Sequence, residues 1–103
     1  MDKQKIKDLE QRGWKVGNAE DFLGLTEEAA AYIELKIKLS TNLKKKRVKQ
    51  NLTQVELAKI LKSSQSRVAK LEAGDPSVSI DLLIRSLLAL GTSNKEIARA
   101  ISS

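Results

Sequence analysis

The chain has 103 residues, of which 41% are hydrophobic and 31% charged, and a formal net charge of +6; this predicts one folded domain and not a disordered chain. It contains no cysteine and no histidine, which excludes disulfides, zinc fingers, thiol catalysis and histidine acid–base chemistry. No apolar stretch is long enough to span a bilayer, and the N-terminus lacks the apolar region of a signal peptide. We therefore expect a cytoplasmic protein that makes no membrane contact.

The charge is distributed unevenly along the chain. Residues 1–35 carry five basic and eight acidic side chains, whereas residues 36–72 carry eleven basic side chains and only Glu56 and Glu72. A charged face is usually only a solvated face, but a segment with a net charge of +9 beside an acidic segment is better explained as a binding surface for a polyanion. With only three aromatic residues in the chain, we expect no stacking platform for single-stranded bases.

Residues 1–25 give weak structural signals and predict an N-terminal extension. Apolar residues three apart predict a short helix near its start. Two glycines bracket Trp14, which predicts a short extended segment. Asn18 can cap a brief helix that ends at Gly24.

Residues 26–103 predict a second unit made of five helices joined by short loops. Each helix begins at a Ser or Thr that can cap it, and two of the caps have a Glu three residues later, as in a capping box. The first is one long helix or two nearly continuous ones, because nothing in it breaks a helix. The predicted helices cover residues 26–49, 53–61, 64–73, 79–90 and 93–101.

The second and third of these helices form a helix-turn-helix. Only Lys62, Ser63 and Ser64 join them, which is too short for an antiparallel return, so the helices must cross steeply. Ala58 is small and allows the two helices to approach closely. The positions that we expect to point inward are Leu57, Leu61, Val68 and Leu71.

One known pattern runs through residues 39–91, in the stretches Leu52–Ala58, Ser64–Gly74, Pro76–Ser77 and Leu87–Gly91. It resembles the Xre family, which includes the phage Cro and repressor proteins. The resemblance implies an all-α, five-helix lambda-repressor-like DNA-binding domain with a recognition helix in the major groove. It also implies a homodimer on a palindromic double-stranded DNA operator, with no cofactor. Lys62 stands where this family commonly has Gly, and a left-handed Lys costs about 1 kcal/mol relative to Gly.

A longer pattern, through Trp14–Gly17, Phe22–Thr26 and the helix around Glu34, resembles the leader of HigA-like antitoxins, the partners of RelE- or HigB-type toxins. This implies a transcriptional repressor that is the antitoxin and autoregulator of a toxin–antitoxin pair. The acidic segment of residues 1–35 either covers a basic toxin, or packs on the helical core or extends the dimer. The alternative function is an Xre-domain adaptor that binds proteins and uses DNA little. We expect no enzyme and no metal site, because no glycine-rich phosphate loop and no acidic pair at metal spacing is present.

The predicted recognition helix supplies the candidate DNA contacts. Gln65 sits at its start, where base edges are usually reached, and its amide can pair with adenine in two places. Gln54, in the helix before, is placed to hold a phosphate, and nearby lysines add nonspecific attraction. The alternative is that these are ordinary surface residues. The predicted DNA-binding set is Lys44, Lys49, Gln54, Ser64, Gln65, Ser66, Arg67, Ala69 and Lys70.

Two further expectations concern packing. Arg47 and Glu72 match the positions of an ion pair in the repressor family, and a half-buried Glu72 needs a partner; alternatively, Arg47 only faces phosphate. Leu83, Leu87 and Leu90 form one core-facing arc of the fourth helix. Leu82 lies outside this arc and needs a second cover, which the N-terminal leader, the last helix or another chain could provide.

Overall fold

The computed structural model describes residues 3–12 and 27–102. Within these ranges the chain forms helices and no strand. The helices are α1 (Lys3–Gln11), α2 (Glu27–Lys49), α3 (Gln54–Ile60), α4 (Gln65–Ala73), α5 (Ile80–Ala89) and α6 (Asn94–Ser102). Helices α2 to α6 confirm the all-α, five-helix lambda-repressor-like fold. The predicted extended segment around Trp14 and the brief helix after Asn18 lie outside the described residues.

Helix α2 is one continuous helix, which settles the choice that the sequence left open. Its inner face follows the three- and four-residue spacing of a helix, and its first turn is acidic whereas its last turn is basic, which suits the helix dipole. Buried along that face are Ile33, Lys36, Leu39, Ser40 and Leu43.

The helix starts form as the capping residues predict. The Thr53 hydroxyl accepts a 3.1 Å hydrogen bond from the Glu56 amide, and the Glu56 carboxylate accepts one of 2.9 Å from the Thr53 amide, which completes the capping box. Ser64 and Ser79 cap α4 and α5 in the same way. At α6 the Ser93 hydroxyl accepts from the amide of Glu96 at 3.1 Å.

The turn between α3 and α4 keeps a left-handed residue although no glycine is present. Lys62 adopts φ 54°, and the next amide, that of Ser63, donates a 2.8 Å hydrogen bond back to the Ala58 carbonyl. This bond closes the turn, and Lys62 takes the left-handed conformation that glycine commonly supplies at the end of a helix.

The core lies where α2, α4 and α5 meet, and its largest buried side chains are leucines from each of these helices and from α3. Of the predicted inward positions, Leu57, Ala58, Val68 and Leu71 are buried, and Leu61 is half-buried against them. The predicted arc of Leu83, Leu87 and Leu90 is also buried.

Leu82 packs partly against the core of its own chain, so its cover lies at least in part within the chain and does not require a partner chain. The exposed leucine of α5 is Leu88, at 48%. None of the helices in the described ranges is long and apolar enough to cross a membrane.

Candidate nucleic-acid interface

The N-terminal half of α4 presents a polar surface to solvent. Because Val68 and Leu71 anchor the opposite side of the helix in the core, the other residues from Ser64 to Lys70 point outward or sideways. Ala69 is half-buried. The exposed residues of the predicted set on this helix and its cap are Ser64, Gln65, Ser66, Arg67 and Lys70.

A chain of side-chain hydrogen bonds connects the start of α4 to its buried end. The Gln65 amide nitrogen donates to Gln54 Oε1 at 2.8 Å. The Gln54 amide nitrogen in turn donates to Glu72 Oε1 at 3.2 Å. Gln54 therefore bridges the exposed Gln65 and the buried Glu72, and it links α3 to α4.

The carboxylate of Glu72 fixes how the side-chain amides of Gln54 and Gln65 are oriented. An ionised carboxylate can only accept hydrogen bonds, so Gln54 must turn its NH₂ group toward Glu72. Its oxygen then faces Gln65, which must present its own NH₂ group. This leaves Gln65 with its carbonyl oxygen and one N–H available to a ligand.

Arg47 holds the inner end of this chain. Its Nε and Nη2 donate to the two Glu72 oxygens at 2.5 and 3.0 Å, and Nη1 donates to the Leu52 carbonyl at 2.7 Å. The hydrogen bond to Glu72 raises the pKa of the Arg47 guanidinium, against the opposing effect of burial. All three nitrogens are thus engaged within the protein, which contradicts the alternative in which Arg47 only faces phosphate. Glu72 was predicted to be half-buried, but its side chain is only 3% exposed and is therefore more deeply buried.

A second polar feature lies beside α4, at a cavity that opens to solvent. Arg67 and Lys70 line it from α4, and Ser77 lines it from the loop before α5, together with Ser64, Ser66 and Val78. The cavity therefore combines two cationic groups with three hydroxyls, which are groups that hold phosphate oxygens in protein–DNA complexes.

The loop that carries Ser77 is held in place from two directions. The Ser77 amide and hydroxyl donate to Asp75 Oδ1 at 2.8 and 2.6 Å, and these bonds lower the pKa of Asp75. The Lys36 ammonium, from the buried face of α2, donates to the Pro76 carbonyl at 3.0 Å. Sequence reasoning missed both Ser77 and Lys36. The sequence features that could have indicated them are the Asp-Pro-Ser turn sequence for Ser77, and for Lys36 its place on the face of α2 that also carries Leu39 and Leu43.

Lys44 and Lys49, the other two lysines of the predicted set, lie outside these groups. Lys44 lines a depression beside α1 and the C-terminal end of α4, together with Arg12 and Ala73. Lys49 is exposed in the last turn of α2. The structure thus brings together Gln54 and Gln65 through hydrogen bonds, and Ser64, Ser66, Arg67 and Lys70 around one cavity.

A comparison with protein families identifies the same part of the chain. A helix-turn-helix family model matches residues 43–96, a little over half of the chain, and this range contains α3, α4 and α5. No curated protein and no solved structure matches the chain.

Proposed function

Because the chain belongs to the Xre/Cro-like helix-turn-helix family of DNA-binding regulatory domains, we propose that it is a transcriptional repressor that binds a specific double-stranded DNA operator. The observation that carries the proposal is the row of side-chain hydrogen bonds from Gln65 through Gln54 to Glu72. A carboxamide on an exposed helix start, held by a second amide that a buried ion pair orients, is suited to reading a base edge.

Gln65 is the proposed base-reading residue. Adenine presents an N–H donor at N6 and an acceptor at N7 in the major groove. The oxygen of Gln65 matches the donor, and the N–H that Gln54 leaves unused matches the acceptor. Because Gln54 fixes the amide before DNA arrives, less side-chain entropy is lost on binding.

The cavity beside α4 is the proposed backbone contact. Arg67 and Lys70 provide charge and Ser64 and Ser66 provide hydroxyls, whereas the Ser77 hydroxyl already donates to Asp75. Phosphate contacts position a protein on DNA without reading its sequence. Ala69, Lys44 and Lys49 complete the proposed set, Ala69 against a thymine methyl group and the lysines as more distant attraction for the duplex.

We expect DNA binding by a homodimer, with two copies of α4 placed about one DNA turn apart on a palindromic operator. Light scattering at micromolar protein, with and without operator DNA, tests this. A mass of one chain under both conditions would refute the homodimer.

The proposed biological role is that of an antitoxin that represses its own synthesis and binds a RelE- or HigB-type toxin. The support is the acidic segment of residues 1–35, with eight acidic and five basic side chains, which suits the basic surface expected of an RNA-cutting toxin. The rival role is an adaptor that binds proteins and not DNA. The polar, partly cationic face of α4 favours DNA over the adaptor.

Selection of duplexes from a randomised pool tests the operator-binding proposal. We expect wild type to enrich one sequence and Gln65→Ala to lose discrimination by about 1–3 kcal/mol at a single adenine position. Arg85→Met provides a control, because Arg85 is paired with Asp81 on α5, with both side chains largely exposed. Failure of wild type to enrich any sequence would favour the adaptor.

Co-purification with a RelE- or HigB-type toxin tests the antitoxin role separately. We expect a stable complex with the full chain, whereas deletion of residues 1–17 weakens it if the extension faces the toxin. Loss of the homodimer with toxin binding intact would instead assign the extension to dimer contacts.

A further inference from the structure

Two cationic side chains from the N-terminal part of the chain bind the backbone at the last residue of the recognition helix and in the loop that follows it. Arg12 Nη1, at the end of α1, donates to the Ala73 carbonyl at 2.8 Å. Lys36 Nζ, from α2, donates to the Pro76 carbonyl at 3.0 Å. The last four carbonyls of a helix have no partner within it, and cations are favourable at this end of the helix dipole.

Arg12 is itself held in position for this contact. Its Nε donates to Asp8 Oδ2, one turn earlier in α1, at 3.1 Å. Its side chain is 25% exposed, since it lies between α1 and the end of α4. The Asp8 carboxylate thus directs the guanidinium toward α4.

Lys36 is anchored more deeply, with a relative exposure of 2%. Its ammonium lies 5.9 Å from the centre of the Tyr32 ring, and the negative charge of Asp75 also acts on it. A buried charge is costly unless its environment compensates. A methionine of similar length would fill the same space without this cost, so the ammonium is better explained by the carbonyl that it binds.

The segment between these two contacts borders both proposed DNA-contacting groups. Ala73 follows Glu72, whose carboxylate accepts the hydrogen bond from Gln54, and Gln54 in turn accepts from Gln65. On the other side, Pro76 precedes Ser77, which lines the cavity with Arg67 and Lys70. The helix end and loop at residues 73–77 therefore set where Ser77 lies relative to Gln65, Arg67 and Lys70, which are all carried by α4.

We infer that Arg12 and Lys36 are positioning residues for DNA recognition, which they serve by fixing the backbone of residues 73–77 without contacting DNA themselves. Both lie outside the range 43–96 that matches the family model. The inference rests on the proposed DNA-binding function. It gives α1 a role in orienting the recognition helix, so a partner that draws α1 away from α4 would weaken operator binding.

Four variants test this inference with matched controls. Arg12→Met and Lys36→Met remove the two donors and keep the apolar stems. Arg85→Met removes an arginine on α5 that is paired with an aspartate one turn earlier, as Arg12 is on α1. Lys38→Met removes another α2 lysine that donates to a backbone carbonyl, that of Ile101 at 3.2 Å. Each is measured at a temperature where circular dichroism shows it fully folded.

The probes are a duplex that wild type selects from a random pool and a duplex of scrambled sequence. We expect Arg12→Met and Lys36→Met each to weaken binding of the selected duplex by about 5- to 30-fold, the factor that corresponds to one or two kcal/mol. Binding of the scrambled duplex and its salt dependence should stay as in wild type, because no phosphate contact is removed. Both controls should bind both duplexes as wild type does.

Equal affinity of the variants and wild type for the selected duplex would overturn the inference and leave operator binding intact. So would an equal loss on both duplexes with a smaller salt slope, since the cations would then contact phosphate directly. If wild type prefers no duplex, the proposed function itself fails, and the inference fails with it.

Discussion

Arg47 and Glu72 hold each other through two parallel hydrogen bonds, although 25 residues separate them in sequence. Their side chains are only 12% and 3% exposed. The pair fastens α2 to α4, and Glu72 uses one of its oxygens again to accept from Gln54. The ion pair therefore belongs both to the folding core and to the chain that orients Gln65.

Substitution Arg47→Met should lower the free energy of unfolding by about 3 kcal/mol, because it leaves the buried Glu72 carboxylate without its charged partner. Thermal and denaturant melts measure the change. Arg85→Met is the control, since the exposed pair of Arg85 with Asp81 contributes at most about 1 kcal/mol. An unchanged melting temperature for Arg47→Met would contradict the role of this pair in stability.

Substitution Gln54→Leu should affect DNA recognition more than folding. Glu72 keeps both bonds from Arg47, so we expect a loss of about 1 kcal/mol in stability from the missing hydrogen bonds. Discrimination at the adenine position should fall by part of the 1–3 kcal/mol that a bidentate contact provides, because Gln65 is no longer held. Base-substituted operator duplexes measure this discrimination.

Gln50→Leu is the matched control for that experiment. Gln50 also donates through its amide, to the Leu90 carbonyl at 2.7 Å, but it is not part of the Gln65 chain. It should lose comparable stability and discriminate operators as wild type does. Equal discrimination by both variants would show that Gln54 does not orient Gln65.

The helices could be predicted from the sequence because their boundaries depend on local chemistry. Thr53, Ser64 and Ser79 accept from amides only three residues away, and Gly74 takes the left-handed conformation that ends α4. The Arg47–Glu72 pair is not local. It could be predicted only from the family resemblance, together with the position of Glu72 on the α4 helical wheel.

The contacts of Arg12 and Lys36 could not be predicted in the same way. Each joins a side chain to a backbone carbonyl that lies 61 or 40 residues away, and a carbonyl carries no residue-specific signal. The element that covers Leu82 stayed open for a related reason. A helical wheel gives the direction of a side chain, but it does not tell how far the neighbouring elements extend around the helix.

The pKa of Asp75 should lie below its ordinary value, because the Ser77 hydroxyl and amide both donate to its carboxylate. A carboxyl group with a lowered pKa in the folded state stabilises the fold above its unfolded pKa, and this contribution is lost as the pH falls through the folded pKa. Carbon-detected NMR titration measures the value. Ser77→Ala should move it back upward, and no change in that variant would contradict the assigned cause.

The last prediction compares two glycines with the same backbone conformation and different surroundings. Gly74 and Gly91 have φ 67° and 82°, so alanine at either site should cost about 1 kcal/mol for the left-handed backbone alone. A Cβ on Gly91 meets nothing within 4 Å, whereas one on Gly74 comes within 3.2 Å of Arg12 Nη1. Gly74→Ala should therefore cost more, because the Arg12 guanidinium must shift by a few tenths of an ångström and so strains its hydrogen bond to the Ala73 carbonyl.

A double-mutant cycle isolates this extra cost. In an Arg12→Met background the guanidinium is already absent, so Gly74→Ala should destabilise the chain by less than it does in wild type and approach the effect of Gly91→Ala. Gly91→Ala should cost the same in both backgrounds, since nothing lies near its Cβ. Denaturant melts of the single and double variants measure the coupling. Identical costs for Gly74→Ala with and without Arg12 would mean that Arg12 does not hold the end of α4 in solution.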